Sequence, residues 1–478
     1  MAEPAGQRFD VVVVGAGPAG VMAALRAADL GARTALVTSG AFGGMAANDG
    51  PAPVRTLAHA ARLLREARQL SRYGVAVPEP ELDYPKLLER VREVVAEVGA
   101  ASALRPQLDI AGAQVFEHLG EVRFEDAQTL IAETGQRFRA GRVILCTGGV
   151  SRRLPIPGFE LSATHSDAWS LTAVPPSMLV VGSGATGAQV ASVFNAFGTR
   201  VRLFEAGPRI LRTEEPEVSA AVAEAFRAAG IEVCEGFGAI EAFEASPEGV
   251  RMIYAKDGAR QSAEAALAVC AIGWSANTAR LNLAAVGIAT DKRGFIQVDA
   301  QQRTSAAHIF AAGDVTGGLM LAGPALEAGF VAATNAACAD ADAAQPHASV
   351  YPVGSFTDPE YAQVGLGEAA ARAVCDPVVA VASYDAATRP IIDGRTFGFC
   401  KLIADRTSHR IVGCHLVGER AVDVVQLAAV AIAAGMTADD FARIPLSFPT
   451  YAGVLGRAAV GLARTLNRGA GIERGDLS

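Results

Sequence analysis

The chain has no paired cysteines. Its seven cysteines stand at 146, 234, 270, 338, 375, 400 and 414, none spaced as C-x-x-C or C-x-x-x-x-C. That scatter argues against both a zinc site and a local redox disulfide, and a reducing compartment is the default for it. A basic cluster is missing too. Net charge is −8 with both signs mixed along the chain, so no nucleic-acid footprint is present. No apolar run is long enough to span a bilayer; the longest, Val424–Met436, carries Gln426. Val454–Arg468 sets Arg457, Arg464 and Arg468 on a small apolar pattern and reads as a helix packed on the protein rather than a membrane-surface helix. No targeting pattern precedes the first strand, expected from Phe9. The expectation is a cytoplasmic protein with no nucleic-acid partner and no stable membrane insertion.

What is present is glycine in register. Gly15-x-Gly17-x-x-Gly20 and Gly182-x-Gly184-x-x-Gly187 each follow an apolar run, Val11–Val14 and Met178–Val181, and each opens a helical pattern. In that setting the glycines allow a tight turn, close approach to a pyrophosphate and close helix–strand packing. The phosphates then rest on the free N–H groups of a helix N-terminus. One such motif is weak evidence, whereas two in the same context point to two bound dinucleotides. The interval from Gly15 to Thr38 equals that from Gly182 to Glu205, and each ends a second strand. An acidic residue there accepts ribose hydroxyls and repels a 2′-phosphate. Glu205 therefore favours NADH over NADPH, with Arg202 and Arg209 weighing the other way and a plain solvated glutamate as the alternative. The first unit carries Thr38 instead, a hydroxyl still able to bond a ribose.

The 478 residues suffice for about two to four domains. A hydrophobic content of 51%, spread through Ala, Val and Gly, suits buried parallel sheets. Strands and helical patterns alternate to about Gly149, and Leu154–Gly158 is a Pro-rich crossover. A second alternating unit runs from Met178 to about Gly273, and a return segment ends at Ala311–Asp314. Beyond Pro346 the order becomes strands and then helices, that of an α+β unit. The expected class is α/β: two Rossmann-like dinucleotide-binding domains and a C-terminal α+β domain. The expected boundaries are 1–155 with 275–346, then 156–274, then 347–478.

With these marks the chain resembles the flavoprotein disulfide reductases, the pyridine nucleotide-disulfide oxidoreductase group of dihydrolipoamide dehydrogenase and mercuric reductase. Beyond the fingerprints the resemblance rests on Thr147–Gly148, Leu154–Gly158, Ala271–Gly273 with Asn277–Thr278, Ala312–Asp314, Phe356–Glu360, Val364–Gly365 and Gly398–Ile403. It implies that the two Rossmann-like domains bind FAD and NAD, that the C-terminal α+β domain is a dimerisation domain making a homodimer, and that the FAD site is built from Gly15, Gly17, Gly20, Thr38, Gly44, Arg55, Thr147, Gly148 and Asp314. By the same resemblance Gly182, Gly184, Gly187, Glu205 and Gly273 take the pyridine nucleotide.

The resemblance stops where that family does its chemistry. Its redox loop reads Gly-Gly-x-Cys-x-x-x-x-Cys-x-Pro-x-Lys. Here Gly43, Gly44, Asn48, Gly50 and Pro53 keep the frame, but Ala46 and Pro51 replace the two cysteines. The family's C-terminal acid–base histidine and its glutamate partner become Phe448 and Gly453, so that proton transfer is gone as well. His415 falls where the family often has a structural histidine, and core packing is its expected role. The family's lysine–glutamate pair near the reactive flavin nitrogen becomes Arg55 and Gln189. A local field more positive by about one charge raises a flavin's potential; as the plain alternative, Arg55 is a helix-surface arginine.

Hydride transfer from NADH to FAD needs only orientation, and those parts remain. Small Ala46 and compact Pro51 leave a vacancy, which Phe448 and Tyr451 of a partner subunit border if the dimer matches the family. An apolar, aromatic-walled slot suits a flat small-molecule electron acceptor such as a quinone; the alternative is that the aromatics fill it as core. The expected enzyme is an FAD-dependent NADH:acceptor oxidoreductase rather than a disulfide reductase. Pyridine nucleotide transhydrogenation, or a non-catalytic flavoprotein subunit or sensor, are the alternatives. No metal is called for.

Overall fold

The computed structural model describes residues 7–102, 104–338, 344–346 and 350–467. Arg468, read above as part of the last helix, lies outside the described residues. The run of valines in Gln7–Val14 is buried on both faces, as a central parallel strand requires. It pairs in parallel with Thr34–Val37 on one side and Arg137–Leu145 on the other. Gln114–Phe116 extends one edge, Thr129–Ala132 and Val122–Phe124 the other, and Ile309–Ala311 pairs with Arg137–Leu145. The chain therefore leaves this first sheet and returns to it.

Between departure and return lies a second parallel sheet in the order Glu232–Glu235, Arg200–Glu205, Ser177–Val181, Leu267–Cys270. An antiparallel meander, Ala239–Ser246, Gly249–Lys256 and Ala259–Ala265, is attached to it. Gly149–Ser151 and Trp274–Ala276 pair antiparallel where the chain crosses out and back. The third unit is a five-stranded antiparallel sheet covered by the helices Ala421–Ala433 and Ala452–Leu466. The arginine-bearing last helix buries Val454, Leu455, Ala458, Ala459 and Leu462 against that sheet, which makes it a packed helix.

The helix Pro51–Ala67 joins all three units. Its buried face, including Val54, Leu57 and Ala58, shares one apolar cluster with the helix Ala185–Ala196 and with Tyr361 and Val417 of the third unit. Charges on the same helix reach the third unit too: Arg62 meets Glu419 at 2.7 Å and Arg65 meets Asp358 at 2.5 Å. A second clamp is deeply buried. The Lys401 ammonium lies 2.7 Å from Glu215, 2.7 Å from Glu368 and 3.1 Å from Glu217. Burial alone would lower its pKa, but these carboxylates raise it. The three glutamates converge closely enough for a metal ion, and the cation between them is the lysine.

Candidate functional site

The two fingerprints are built alike to within a few tenths of an ångström. The Gly15 N–H donates to Val37 O at 2.8 Å and the Gly182 N–H to Phe204 O at 2.8 Å. Both glycines have positive φ, +106° and +93°. A Cβ on Gly15 would lie 2.2 Å from the Cys146 carbonyl oxygen, and one on Gly182 would lie 2.4 Å from that of Ala271. A Cβ on Gly20 or on Gly187 would lie 1.8 Å from the carbonyl oxygen of its own unit's first glycine. No side chain fits at these four positions. Gly17 and Gly184 are different: a Cβ there meets nothing within 4 Å. Open space at the helix N-terminus is what a pyrophosphate needs, so both cradles fit a dinucleotide.

Of the remaining expected FAD residues, Thr38, Gly44, Thr147, Gly148 and Asp314 lie about the first cradle, and Arg55 does not contact it. Thr147 and Gly148 follow directly on Cys146, and the Thr147 hydroxyl donates to Asn277 O at 2.8 Å. A Cβ on Gly149 would lie 3.8 Å from the Asp314 Cβ, and one on Gly313 would lie 2.9 Å from the Ala19 Cβ. Burial raises the Asp314 pKa, an environment that favours a hydrogen-bonding partner. Thr38 is buried at the end of its strand, its N–H donating to Phe116 O at 2.9 Å. Gly44 leans on Gly17, where a Cβ would come within 2.7 Å of the Gly17 Cα.

In the second unit Glu205 closes on its own fingerprint. Its carboxylate accepts from the Ser183 hydroxyl at 2.6 Å and from the Gly207 N–H at 2.7 Å. The arginines weighed against it are engaged elsewhere. Arg202 pairs with Glu232 at 2.9 Å, and Arg209 donates to the carbonyls of Leu211, Arg212 and Glu214. Gly273, at φ +105°, follows Ala271 as Gly148 follows Cys146, and a Cβ on either meets nothing within 4 Å.

Between the cradles lies the loop that carries thiols in the family. Gly43–Gly44 turns through positive φ, the Gly43 N–H donating to Ala16 O at 2.9 Å. A short helix, Gly44–Asn48, follows and holds half-buried Ala46. Asn48 Nδ2 ties the turn by donating to Phe42 O at 3.0 Å and Gly44 O at 2.9 Å. Pro51 then starts the long helix at its first position, where its missing N–H costs nothing. The frame is intact without either sulfur. All seven cysteines are free. Burial pushes Cys146 up to about 12 and Cys234 and Cys270 up to about 11, the opposite of a reactive thiolate.

Arg55 and Gln189 are not joined to each other. The Arg55 guanidinium stacks 3.5 Å over the Phe356 ring, and burial lowers its pKa against the pull of Glu360 and Asp423. Gln189 Nε2 donates to Ala185 O at 3.2 Å. The helix of Gln189 reaches the Phe356 loop through Ser192 Oγ, which accepts from the Asp358 N–H at 3.0 Å. Phe448 is 80% exposed. Tyr451 is half-buried, its hydroxyl donating to Asp393 at 2.9 Å. His415 is buried, with Nε2 3.1 Å from Leu366 O, a structural position.

Sequence reading passed over one group beside the loop. His165 is 5% exposed, with Ser151 Oγ 3.2 Å from Nδ1 and Ser166 Oγ 3.4 Å from Nε2. The Ser166 hydroxyl donates to Asp49, which lies between Ala46 and Pro51. The available signal was the helix-start pattern of Thr164 with Asp167, which orients the histidine behind it.

Residues 9–329 match the model of the pyridine nucleotide-disulphide oxidoreductase family, and residues 351–459 match that family's dimerisation domain. The chain is 33% identical over 461 residues to dihydrolipoyl dehydrogenase of Geobacillus stearothermophilus, covering 94% of this chain and 95% of that protein. It is 30% identical over 458 residues to mercuric reductase of Lysinibacillus sphaericus, covering 95% and 82%. Among solved structures, the HOCl-induced flavoprotein disulfide reductase RclA from Escherichia coli shares the fold. Its TM-score is 0.83 at 23% identity, covering 95% of this chain and 99% of that one.

Proposed function

The chain belongs to the pyridine nucleotide-disulphide oxidoreductase family, and from that premise we propose that it passes electrons from FAD directly to a flat acceptor such as a quinone, or to O₂, without a disulfide relay. FAD, the cofactor expected of this family, supplies hydride acceptance from a reduced nicotinamide and onward release of two electrons. NADH is the favoured donor, supported by Glu205 closing on the second cradle while Arg202 and Arg209 are held elsewhere.

One observation carries the reading. The loop Gly43–Pro53 keeps its backbone frame but presents Ala46 and Pro51 at the thiol positions. None of the seven cysteines lies in it, and the relatives' acid–base histidine position is Phe448. The dimerisation domain supports a homodimer, and Phe448 at 80% exposure is the kind of apolar surface a second subunit covers. On this reading the partner's Phe448, with Tyr451, borders the acceptor slot over Ala46. Arg55, stacked on Phe356, with uncharged Gln189 at the family's glutamate position, makes the local field about one charge more positive than in the relatives.

Steady-state turnover with NADH and a panel of quinones tests the reading. Turnover with quinones, none with lipoamide and none with oxidised glutathione are expected. Turnover of a disulfide substrate contradicts it, and an absence of turnover with every acceptor favours a non-catalytic flavoprotein.

A further inference from the structure

The two units tie down the loop after their second strand in different ways. In the second unit the strand-end acid does this itself. The Glu205 carboxylate accepts from the Gly207 N–H at 2.7 Å, two residues further on, and from the Ser183 hydroxyl of the fingerprint at 2.6 Å. In the first unit the strand Thr34–Val37 leads into Thr38, whose neutral side chain makes no hydrogen bond among the described residues. A carboxylate still holds the loop beyond it, and that carboxylate comes from the neighbouring strand.

Glu117 directly follows Gln114–Phe116, which pairs in parallel with Thr34–Val37. Backbone bonds then run the two following segments side by side. The Thr38 N–H donates to Phe116 O at 2.9 Å, the Leu119 N–H to Thr38 O at 3.2 Å and the His118 N–H to Gly40 O at 3.3 Å. Glu117 Oε2 accepts from the Phe42 N–H at 3.0 Å, and Oε1 pairs with the Arg105 guanidinium of the helix Leu104–Ala111. The Phe42 ring packs on the same apolar cluster as Leu108 of that helix. Gly43 and Gly44 come next, the turn that bonds Ala16 O and lies against Gly17. Glu117 thus grips the outer side of a turn whose inner side meets the first cradle.

The Arg105–Glu117 pair is 40% and 26% exposed, and an ion pair that open contributes little to folding. Its geometry suits another task. A charge-assisted bond to a loop N–H is strong, and a loop fixed in its bound conformation raises affinity because it need not be ordered on binding. Resting on the reading that the first cradle holds FAD, we propose that Glu117, oriented by Arg105, is a positioning residue for FAD. It does the loop-tying half of the strand-end acid's work and leaves Thr38 the ribose half. Both Glu117 oxygens are engaged, so it acts through the Phe42–Gly44 turn without touching the cofactor.

The test follows FAD release from wild-type, E117A, E117Q and R105M holoproteins, read as the rise in flavin fluorescence on dilution. Release from E117A is expected to be at least about tenfold faster, and from E117Q and R105M about threefold faster, because the amide still accepts from Phe42 and the unpaired carboxylate still bonds it. E117A combined with R105M is expected to release no faster than E117A alone. The phosphorus-31 signals of the bound pyrophosphate are expected to shift in E117A, which a general loss of stability would not produce. NAD⁺ affinity is expected to stay within about twofold, since the second unit is independent of the tie. FAD release at the wild-type rate in E117A overturns the proposal, and so does faster release accompanied by an equal loss of NAD⁺ affinity. Wild-type protein that takes up no FAD instead overturns the reading of the first cradle.

Discussion

The two nucleotide cradles share a frame and differ in what lies over it. Gly15 and Gly182, and Gly20 and Gly187, crowd the same backbone atoms at nearly the same distances. Cys146–Thr147–Gly148 and Ala271–Ile272–Gly273 occupy corresponding places, each after the strand that pairs in parallel with its fingerprint strand. Over the first cradle, however, Gly44 closes down on Gly17, and the loop that leads to Ala46 is tied by Gly43 to Ala16. A Cβ placed on Gly17 or on Gly184 meets nothing within 4 Å, and the second cradle has its own tie, the Leu211 N–H donating to Ser183 O at 3.1 Å. The common frame says where phosphates rest; on the proposed reading the first cradle holds the resident flavin and the second the nucleotide that exchanges each turnover.

The sharpest way to break that comparison is to add the same methyl group to both frames. Gly20→Ala and Gly187→Ala each drive a Cβ to 1.8 Å from a backbone oxygen, at a cost of about 3 kcal/mol locally. Gly20→Ala is expected to yield little folded yellow protein. Gly187→Ala is expected to retain flavin absorbance while NADH-driven flavin reduction slows at least a hundredfold. Equal flavin loss in both would mean that the roles are not divided between the cradles.

A smaller effect is expected at the strand ends. Glu205→Ala removes a carboxylate that accepts from Ser183 and Gly207, and about 1.4 kcal/mol of that interaction corresponds to a tenfold change. The ratio of kcat/KM for NADH over NADPH is expected to fall about tenfold, read from initial rates with ferricyanide. Thr38→Glu, the matching change in the first unit, is expected to leave that ratio alone. If Thr38→Glu moves the ratio and Glu205→Ala does not, the assignment of the cradles is reversed.

Much of the scaffold was legible because the glycines are constrained by backbone contacts alone. Gly15, Gly20, Gly182 and Gly187 are fixed by oxygen atoms within a few residues or on the neighbouring strand, so their spacing survives in the linear pattern. The strand ends were readable for the same reason: Arg200–Glu205 closes on the acidic residue expected at the end of that second strand. Side-chain direction was not readable. Arg55 and Gln189 sit on packed helices, but whether they meet depends on Phe356, a residue about three hundred positions away that takes the guanidinium on its ring face. The His165 group was hidden more completely. Its members come from a loop, a short helix and a crossover strand, and only the third dimension sets Ser166 beside Asp49. Neither Ala46 nor Pro51 announces that an acid stands between them, bonded to Ser166.

That the flavin meets its acceptor without a thiol relay is tested most directly by anaerobic titration of the purified holoprotein with NADH. Two electrons per subunit are expected to complete the reduction, with no long-wavelength thiolate–flavin band. Uptake of four electrons per subunit, or the appearance of that band, would contradict the account.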